Sequence, residues 1–431
     1  MKGQMGGSRW TGKSAADRII PMKDSVRSVL LNGFTEPIRD TLWGHIYLTP
    51  GIAALTRSAP FMRLFRIFQL GPVYCVYPGA THTRASHSVG VYHLGRRLLE
   101  NLLERGAEDW ITPEGALSFL CACLLHDLGH FPYTHSLKEL SLKSHEKLTG
   151  EIILAEPVRS LLSAAGADPG LTAAIVDTSL PEGGRELLFY RKLLSGTLDP
   201  DKLDYLNRDA RFCGVPYGAQ DVDFILSRLY PHPERGVDIE SRGIPSVESV
   251  LFSKYLMYRT VYWHRQVRSA TAMIKKALSG FLDSGKIAPE ELYDLDDQSL
   301  FALIKSPLAL AVREGRLYSA AAEFPWTEEK HRRLRDIQSR SVCEEELAEK
   351  LRKAGVPIEN GELIIDVPEP VSFETGLFVK DEGRYFAESS SAFQNETVNA
   401  FVKSLYTVRV FTAPAHDGKL QSLKEFPGGF F

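Results

Sequence analysis

At 431 residues the chain has room for two or three domains, or for one large helical domain with additions. Its 44% apolar and 24% charged residues are a globular balance with ample core material, which excludes disorder as the main state. Lys+Arg 51 against Asp+Glu 54 gives a net charge of -3, so no whole-chain basic field draws it to nucleic acid or anionic lipid.

The N-terminus has charge and glycine but no apolar run fit for a signal peptide, and a flexible tail is expected through residue 34, with Met5 and Met22 as alternative starts. No run of apolar residues is long enough for a membrane span. The cysteines (75, 121, 123, 213 and 343) are odd in number and form no CxxC, which signals neither a zinc knuckle nor a disulfide framework. A cytoplasmic location is the expectation.

Along the chain, His87, Val91, Leu94 and Leu98 fall on one face of a predicted helix that Gly106 closes. Thr112 caps the next helix, with Pro113 and Glu114 in its first turn. That helix continues as ALSFLCACLLHD, apolar nearly all round and so predicted to be central and buried. One long helix is predicted from Ser246 to Leu282, and the charge-rich stretch Thr327–Arg340 as a solvated helix face. LIIDV (363–367), GLFVK (376–380), RYFAE (384–388) and YTVRVFTA (406–413) read as strands, with Asp381-Glu382-Gly383 as a hairpin turn. The fold class expected is mainly α, with a helical core over residues 35–290 and a smaller α+β portion over 291–431 that serves as an assembly or lid region.

Histidine is the unevenly spread residue: eight of the twelve lie between His45 and His145. The adjacent His126-Asp127 at the end of an apolar helix is costly to bury unless paired, hydrogen-bonded or metal-bound. His87 begins the preceding helix on its apolar face, and Asp199, Asp201, Asp204 and Asp209 follow within eleven residues. A mixed imidazole and carboxylate set suits one divalent ion, with Mg, Mn, Fe, Ni and Zn undistinguished.

His87, His126-Asp127 and Asp201 together resemble the H…HD…D signature of HD-domain phosphohydrolases. More specifically, HDLGHFPYTH (126–135), DPDKLDYLNRD (199–209), FMRLFRIFQLG (61–71) and THTRASHSVGV (81–91) resemble elements of the deoxynucleoside triphosphate triphosphohydrolases, in the family's order, over residues 36–290. The resemblance implies an HD helical core and metal-dependent hydrolysis of deoxynucleoside triphosphates (dNTPs) to deoxynucleoside and inorganic triphosphate. It implies His87, His126, Asp127 and Asp201 as metal ligands. It also implies His145, beside Glu146, as the acid that protonates the departing 5′-oxygen, with Glu146 keeping the ring protonated. His130 and His135 face the phosphates, Arg84 and Lys202 contact them, and Lys254 is a third cation. Gln69 and Asp209 hold the 3′-hydroxyl, while Tyr205, Tyr262 and Tyr258 wall off C2′ against a ribose hydroxyl. His45, His82, His93, His232, His264, His331 and His416 read as structural or surface residues. A homo-oligomer is expected by analogy.

The chain departs from the family in three places. Lys138 stands where an acid is usual, which leaves Glu139 as a displaced substitute, and Ser86 replaces the Glu before the first metal histidine. The DPxHG element reads Asp40-Thr41-Leu42-Trp43-Gly44. Positions that bind an activating guanine nucleotide in some relatives carry Arg57, Met62 and Phe65, so that activator site is expected to be lost. The alternatives are an HD phosphatase, pyrophosphohydrolase or phosphodiesterase on other nucleotides, and a regulatory nucleic-acid-binding HD protein, the last without compositional support. The GYP motif is absent, and Cys123 occupies the arginine position of the RxxHD element.

Overall fold

The structure, a computed structural model, describes residues 25–181, 183–389 and 391–416. Most of the expected N-terminal tail lies outside the described residues. Within them, Val26–Leu31 is a helix, because Ser25 accepts from the Ser28 N–H and Val26 and Leu30 are buried. Residues 26–31, expected to be flexible tail, are thus helix.

The architecture is mainly α. Helix Arg84–Glu104 starts where Thr83 accepts from the Ser86 N–H and ends before Gly106, which turns at φ 95°. Helix Pro113–Leu125 starts where Thr112 accepts from the Gly115 N–H. Its residues from Ser118 to Leu125 are all buried, as the unbroken apolar run requires. Both helices pack together, and helix Pro200–Cys213 lies on Arg84–Glu104. Gly90 permits that last approach. A Cβ there would lie 1.9 Å from Asp204 Oδ1 and 2.5 Å from an Arg208 guanidinium nitrogen. Helix His145–Leu154 packs on Pro169–Val176, which also rests against Pro113–Leu125.

The predicted continuous helix from Ser246 to Leu282 is interrupted. Ile244–Met257 passes into a π-turn at Tyr258–Tyr262, where the Trp263 N–H reaches back to the Tyr258 carbonyl at 2.9 Å. His264 then leaves helical geometry and caps Arg265–Asp283, its ring accepting from the Gln266 N–H. The wider π-turn faces the cavity described below, a common setting for such turns.

Two antiparallel hairpins lie inside the stretch expected to be helical: Glu36–Asp40 with Gly44–Leu48, and Leu229–His232 with Gly236–Ile239. Strand Phe378–Val379 joins Gly236–Ile239 in parallel and pairs with Arg384–Tyr385, so C-terminal chain completes a sheet begun in the core. The turn at 381–383 is as expected, but Phe386–Glu388 is a 3-10 turn that buries Phe386 rather than more strand. A separate sheet orders Ser319–Pro325, Thr407–Thr412 and Leu363–Asp366.

The stretch Thr327–Arg340 is largely solvent-exposed, as expected, but it is not one helix: two short turns lead into helix Ile337–Lys353, and His331, Leu334 and Arg340 alone face inward. Arg340 pairs there with Glu139 at 2.6 Å. Among the described residues, no helix is long and apolar enough to cross a membrane.

Candidate metal centre

Three helices bring His87, His126, Asp127 and Asp201 together. Each sits at a helix end: His87 in the first turn of Arg84–Glu104, His126 and Asp127 just past Pro113–Leu125, and Asp201 in the first turn of Pro200–Cys213. His87 Nε2 is 3.0 Å from Asp201 Oδ1, and His126 Nε2 is 3.3 Å from Asp127 Oδ1 and 3.8 Å from Asp201 Oδ1. The His87 and His126 rings meet edge to face at 5.3 Å.

The outward nitrogen of each ring is set by its inward one. His87 Nδ1 donates to Asp204 at 2.8 Å, and His126 Nδ1 donates to the Cys123 carbonyl at 2.9 Å. That leaves His126 Nε2 buried without a hydrogen-bond partner, facing two carboxylates. A lone pair so placed, beside His87 Nε2 and the Asp127 and Asp201 oxygens, fits a divalent ion of borderline or hard character.

The carboxyl groups here are held in their charged form. Burial pushes the Asp127 carboxyl up, but His130, His126 and Arg84 outweigh it and hold the group well below its usual range. Burial likewise raises Asp201, yet the His87 hydrogen bond and charge bring it to about 2. In the metal-free chain the flanking Asp201 and Asp204 hold the His87 ring up at about 10 against the effect of burial.

The supporting shell is denser than the sequence suggested. Arg208, wholly buried, grips Asp204 through two nitrogens at 2.8 and 2.9 Å and Asp40 at 2.9 Å. The Trp43 indole N–H donates to Asp204 at 2.6 Å. Trp43 thus does hydrogen-bonding work at the histidine position of the altered DPxHG element. Arg63 was assigned no role. Its guanidinium donates to the carbonyls of His130 and Leu128, both at 2.7 Å, and so pins the turn after the metal pair. Gly129 lets this turn sit on helix His145–Leu154, since a Cβ there would meet the His145 carbonyl at 2.2 Å.

A second imidazole group adjoins the first. His130 and His145 stack with ring centres 3.9 Å apart, and His135 lies 4.7 Å from His130 and 5.1 Å from His145. His130 Nε2 is 3.2 Å from Asp127 Oδ1, and the Nδ1 atoms of His130 and His145 are buried without partners. Glu146 lies 3.3 Å from His145 Nε2 and pulls its pKa upward, but burial wins and sets it at about 4. Glu146 therefore does not keep the ring protonated in the free protein, contrary to the sequence expectation. Lys138 lines the cavity, whereas Glu139 is engaged by Lys275 at 2.7 Å and by Arg340. Glu139 is no substitute for the missing acid.

All these rings open on one cavity of about 410 Å3. Its lining includes the four candidate ligands, His130, His135, His145, Arg84, Gln69, Tyr205, Asp209, Tyr258 and Tyr262. Arg84 donates to Asp127 at 2.7 Å, and its Nε is buried without a partner, as is Gln69 Oε1. Asp209 accepts from Tyr262 at 2.6 Å and pairs at 2.8 Å with His82, whose buried ring stacks on Phe212 outside the cavity lining, in keeping with its structural reading. Glu146, Lys202 and Lys254 are not among the lining residues. Lys202 is held by Asp199 at 2.7 Å and Lys254 by Glu374 at 3.0 Å, while Arg268, Thr271, Glu369 and Pro370 line the cavity unforeseen.

Comparison with known proteins agrees with this geometry. Residues 84–175 match the HD domain and residues 221–421 match the HD associated region. The chain contains an HD domain of the HD-superfamily metal-dependent phosphohydrolases, and His87, His126 and Asp127 form a group that could hold a metal ion. It is 37% identical over 225 residues to the uncharacterized protein YwfO of Bacillus subtilis, covering 52% of this chain and 50% of that one. It is 31% identical over 215 residues to the deoxynucleoside triphosphate triphosphohydrolase SAMHD1 of Danio rerio, covering 48% of this chain and 32% of that one. A crystal structure of a hypothetical protein from Aquifex aeolicus superposes with a TM-score of 0.70 at 25% identity, covering 90% of this chain and 98% of that one. The chain spans about half the length of the first curated relatives it matches.

Proposed function

We propose that the chain hydrolyses deoxynucleoside triphosphates to deoxynucleoside and inorganic triphosphate. The observation that carries this reading is the convergence, on one cavity, of the ligand set, the three-histidine group and the Gln69, Asp209 and tyrosine wall. Similarity to SAMHD1 supports it.

His87, His126, Asp127 and Asp201 would hold one divalent ion. When bound, that ion supplies Lewis-acid activation of a phosphoryl group and a template for attack. Arg84, with one nitrogen on Asp127 and a free Nε, is positioned to donate to a phosphate oxygen. His130 and His135 offer the phosphates short-range hydrogen bonds. His145 is neutral in the free protein, and an incoming polyanion raises its pKa, so it takes up a proton on binding and delivers it to the 5′-oxygen. Asp209, fixed by His82 and Tyr262, accepts from the 3′-hydroxyl, and the Gln69 amide donates to the same oxygen. Tyr205, Tyr258 and Tyr262 leave no room beside C2′, which rejects ribonucleotides by crowding.

The reading extends to a cytoplasmic homo-oligomer whose residues 291–431 serve assembly or cover the site. Steady-state hydrolysis of the four dNTPs beside the four ribonucleotides tests it. Turnover of dNTPs about 100-fold above that of ribonucleotides supports it. Equal turnover of both, or activity that persists in the His126→Ala, Asp127→Ala double variant, rejects it.

A further inference from the structure

Two lysines assigned to the triphosphate are already occupied, and by the same carboxylate. Lys254 Nζ donates to Glu374 Oε2 at 3.0 Å and to the Ser372 carbonyl at 2.8 Å. Lys202 Nζ lies 3.9 Å from that same Glu374 oxygen while donating to Asp199 at 2.7 Å. Two ammonium groups and two carboxylates cancel, and the cluster presents no net charge to an incoming anion. Yet each lysine is one helical turn from a tyrosine that lines the cavity, Lys202 from Tyr205 and Lys254 from Tyr258. The cluster therefore borders the cavity without opening on it.

Glu374 is not a loose visitor. Val371, Phe373 and Leu377, on either side of it, are buried in the hydrophobic core of the HD portion. Phe373 also lies under the Lys254 ammonium at 5.5 Å. A few residues earlier the same segment contributes Glu369 and Pro370 to the cavity wall. An acid carried on an anchored segment is thus set between two cations at the border of the cavity.

We propose that Glu374 is a specificity-determining residue whose carboxylate holds Lys254 and Lys202 in place of an outer phosphate, so that a polyphosphate chain must displace it to reach them. This rests on the reading of the cavity as a nucleoside triphosphate site. Short phosphate ligands do not extend to the lysines and are indifferent to Glu374. Long ones compete with it, and the residue sets how strongly the site favours extended phosphate chains.

The test is calorimetric binding of inorganic tripolyphosphate and of orthophosphate to the full chain, with Mn2+ in excess over both. Glu374→Gln keeps the shape and removes the charge, and is expected to tighten tripolyphosphate about tenfold, with orthophosphate changed less than about twofold. Glu374→Ala should move binding in the same direction, and stands in if the Gln variant loses its cooperative melting transition. Adding Lys254→Met to Glu374→Gln should return the affinity toward that of the unaltered chain. Exposed Glu396, changed to Gln, controls for the loss of one negative charge at a distance and should leave binding unchanged. Tripolyphosphate affinity that is unchanged or weakened in both Glu374 variants overturns the proposal, as does an equal gain in the Glu396 variant. These outcomes are independent of which products the unaltered chain releases, so failure here and failure of the dNTP reading are separate results.

Discussion

The Nδ1 of His87 donates to Asp204 at 2.8 Å, and Asp204 is held in turn by Arg208 and by the Trp43 indole. The pairing fixes the tautomer that leaves Nε2 free toward Asp201, and it makes the ring more basic. Asp204→Asn keeps the volume but offers Arg208 an uncharged partner. The variant should bind its divalent ion about 10–100-fold more weakly, measured by titration of the metal-free protein. Unchanged affinity would show that the ring needs no such partner.

Gly90 faces this carboxylate across the helix pair. The Cβ of Gly90→Ala would fall 1.9 Å from Asp204 Oδ1, which is itself locked by Arg208 and Trp43 and cannot swing aside. We expect the variant to lose about 1–3 kcal/mol in urea denaturation, the range for overpacking in a rigid core. Metal affinity should fall with it, because the displaced group is the one that orients His87.

His93 predicts a pH dependence away from the metal. Burial first, then Arg97 and Arg96, push its ring down to about 4. The folded pKa is lowered, so below the unfolded value near 6.5 the unfolded chain takes up a proton that the folded chain refuses. Stability from this group is complete above about pH 6.5 and is lost as pH falls toward 4. Between pH 7 and pH 5 the loss is on the order of 2 kcal/mol. Denaturation curves of His93→Asn should fall less steeply over that interval. A parallel fall in both proteins would assign the acid sensitivity elsewhere.

Guanine nucleotides should not activate the chain. Met62 and Phe65 are exposed at 43% and 48%, apolar where a base edge needs hydrogen-bonding groups, and Arg57 pairs with Glu36 at 3.3 Å. Rates of dNTP hydrolysis with and without GTP or dGTP should agree within about twofold, whereas a stimulation of about tenfold would reveal an activator site.

The parts legible in the sequence were those with local signals. The helix closed by Gly106, the helix capped at Thr112, the buried run before His126 and the turn at Asp381-Glu382-Gly383 follow from neighbouring residues alone. The convergence of His87, His126, Asp127 and Asp201 was legible because these residues fall within short strings that fold onto helix ends. What escaped notice depends on distant partners. The π-turn at Tyr258–Tyr262 lies in an unbroken helical pattern, and the edge hairpins at 36–48 and 229–239 have weak alternation. Glu374 carries no signal in its own segment, since its meaning comes from lysines more than a hundred residues away. The pairing of His82 with Asp209 was hidden because the carboxylate arrives from another helix.

Product identification tests the central claim most directly. The purified chain, incubated with dATP and a divalent ion and resolved by anion-exchange chromatography, is predicted to release deoxyadenosine and inorganic triphosphate, with neither formed by the His126→Ala, Asp127→Ala variant. Deoxyadenosine monophosphate with pyrophosphate, or the diphosphate with orthophosphate, would contradict it.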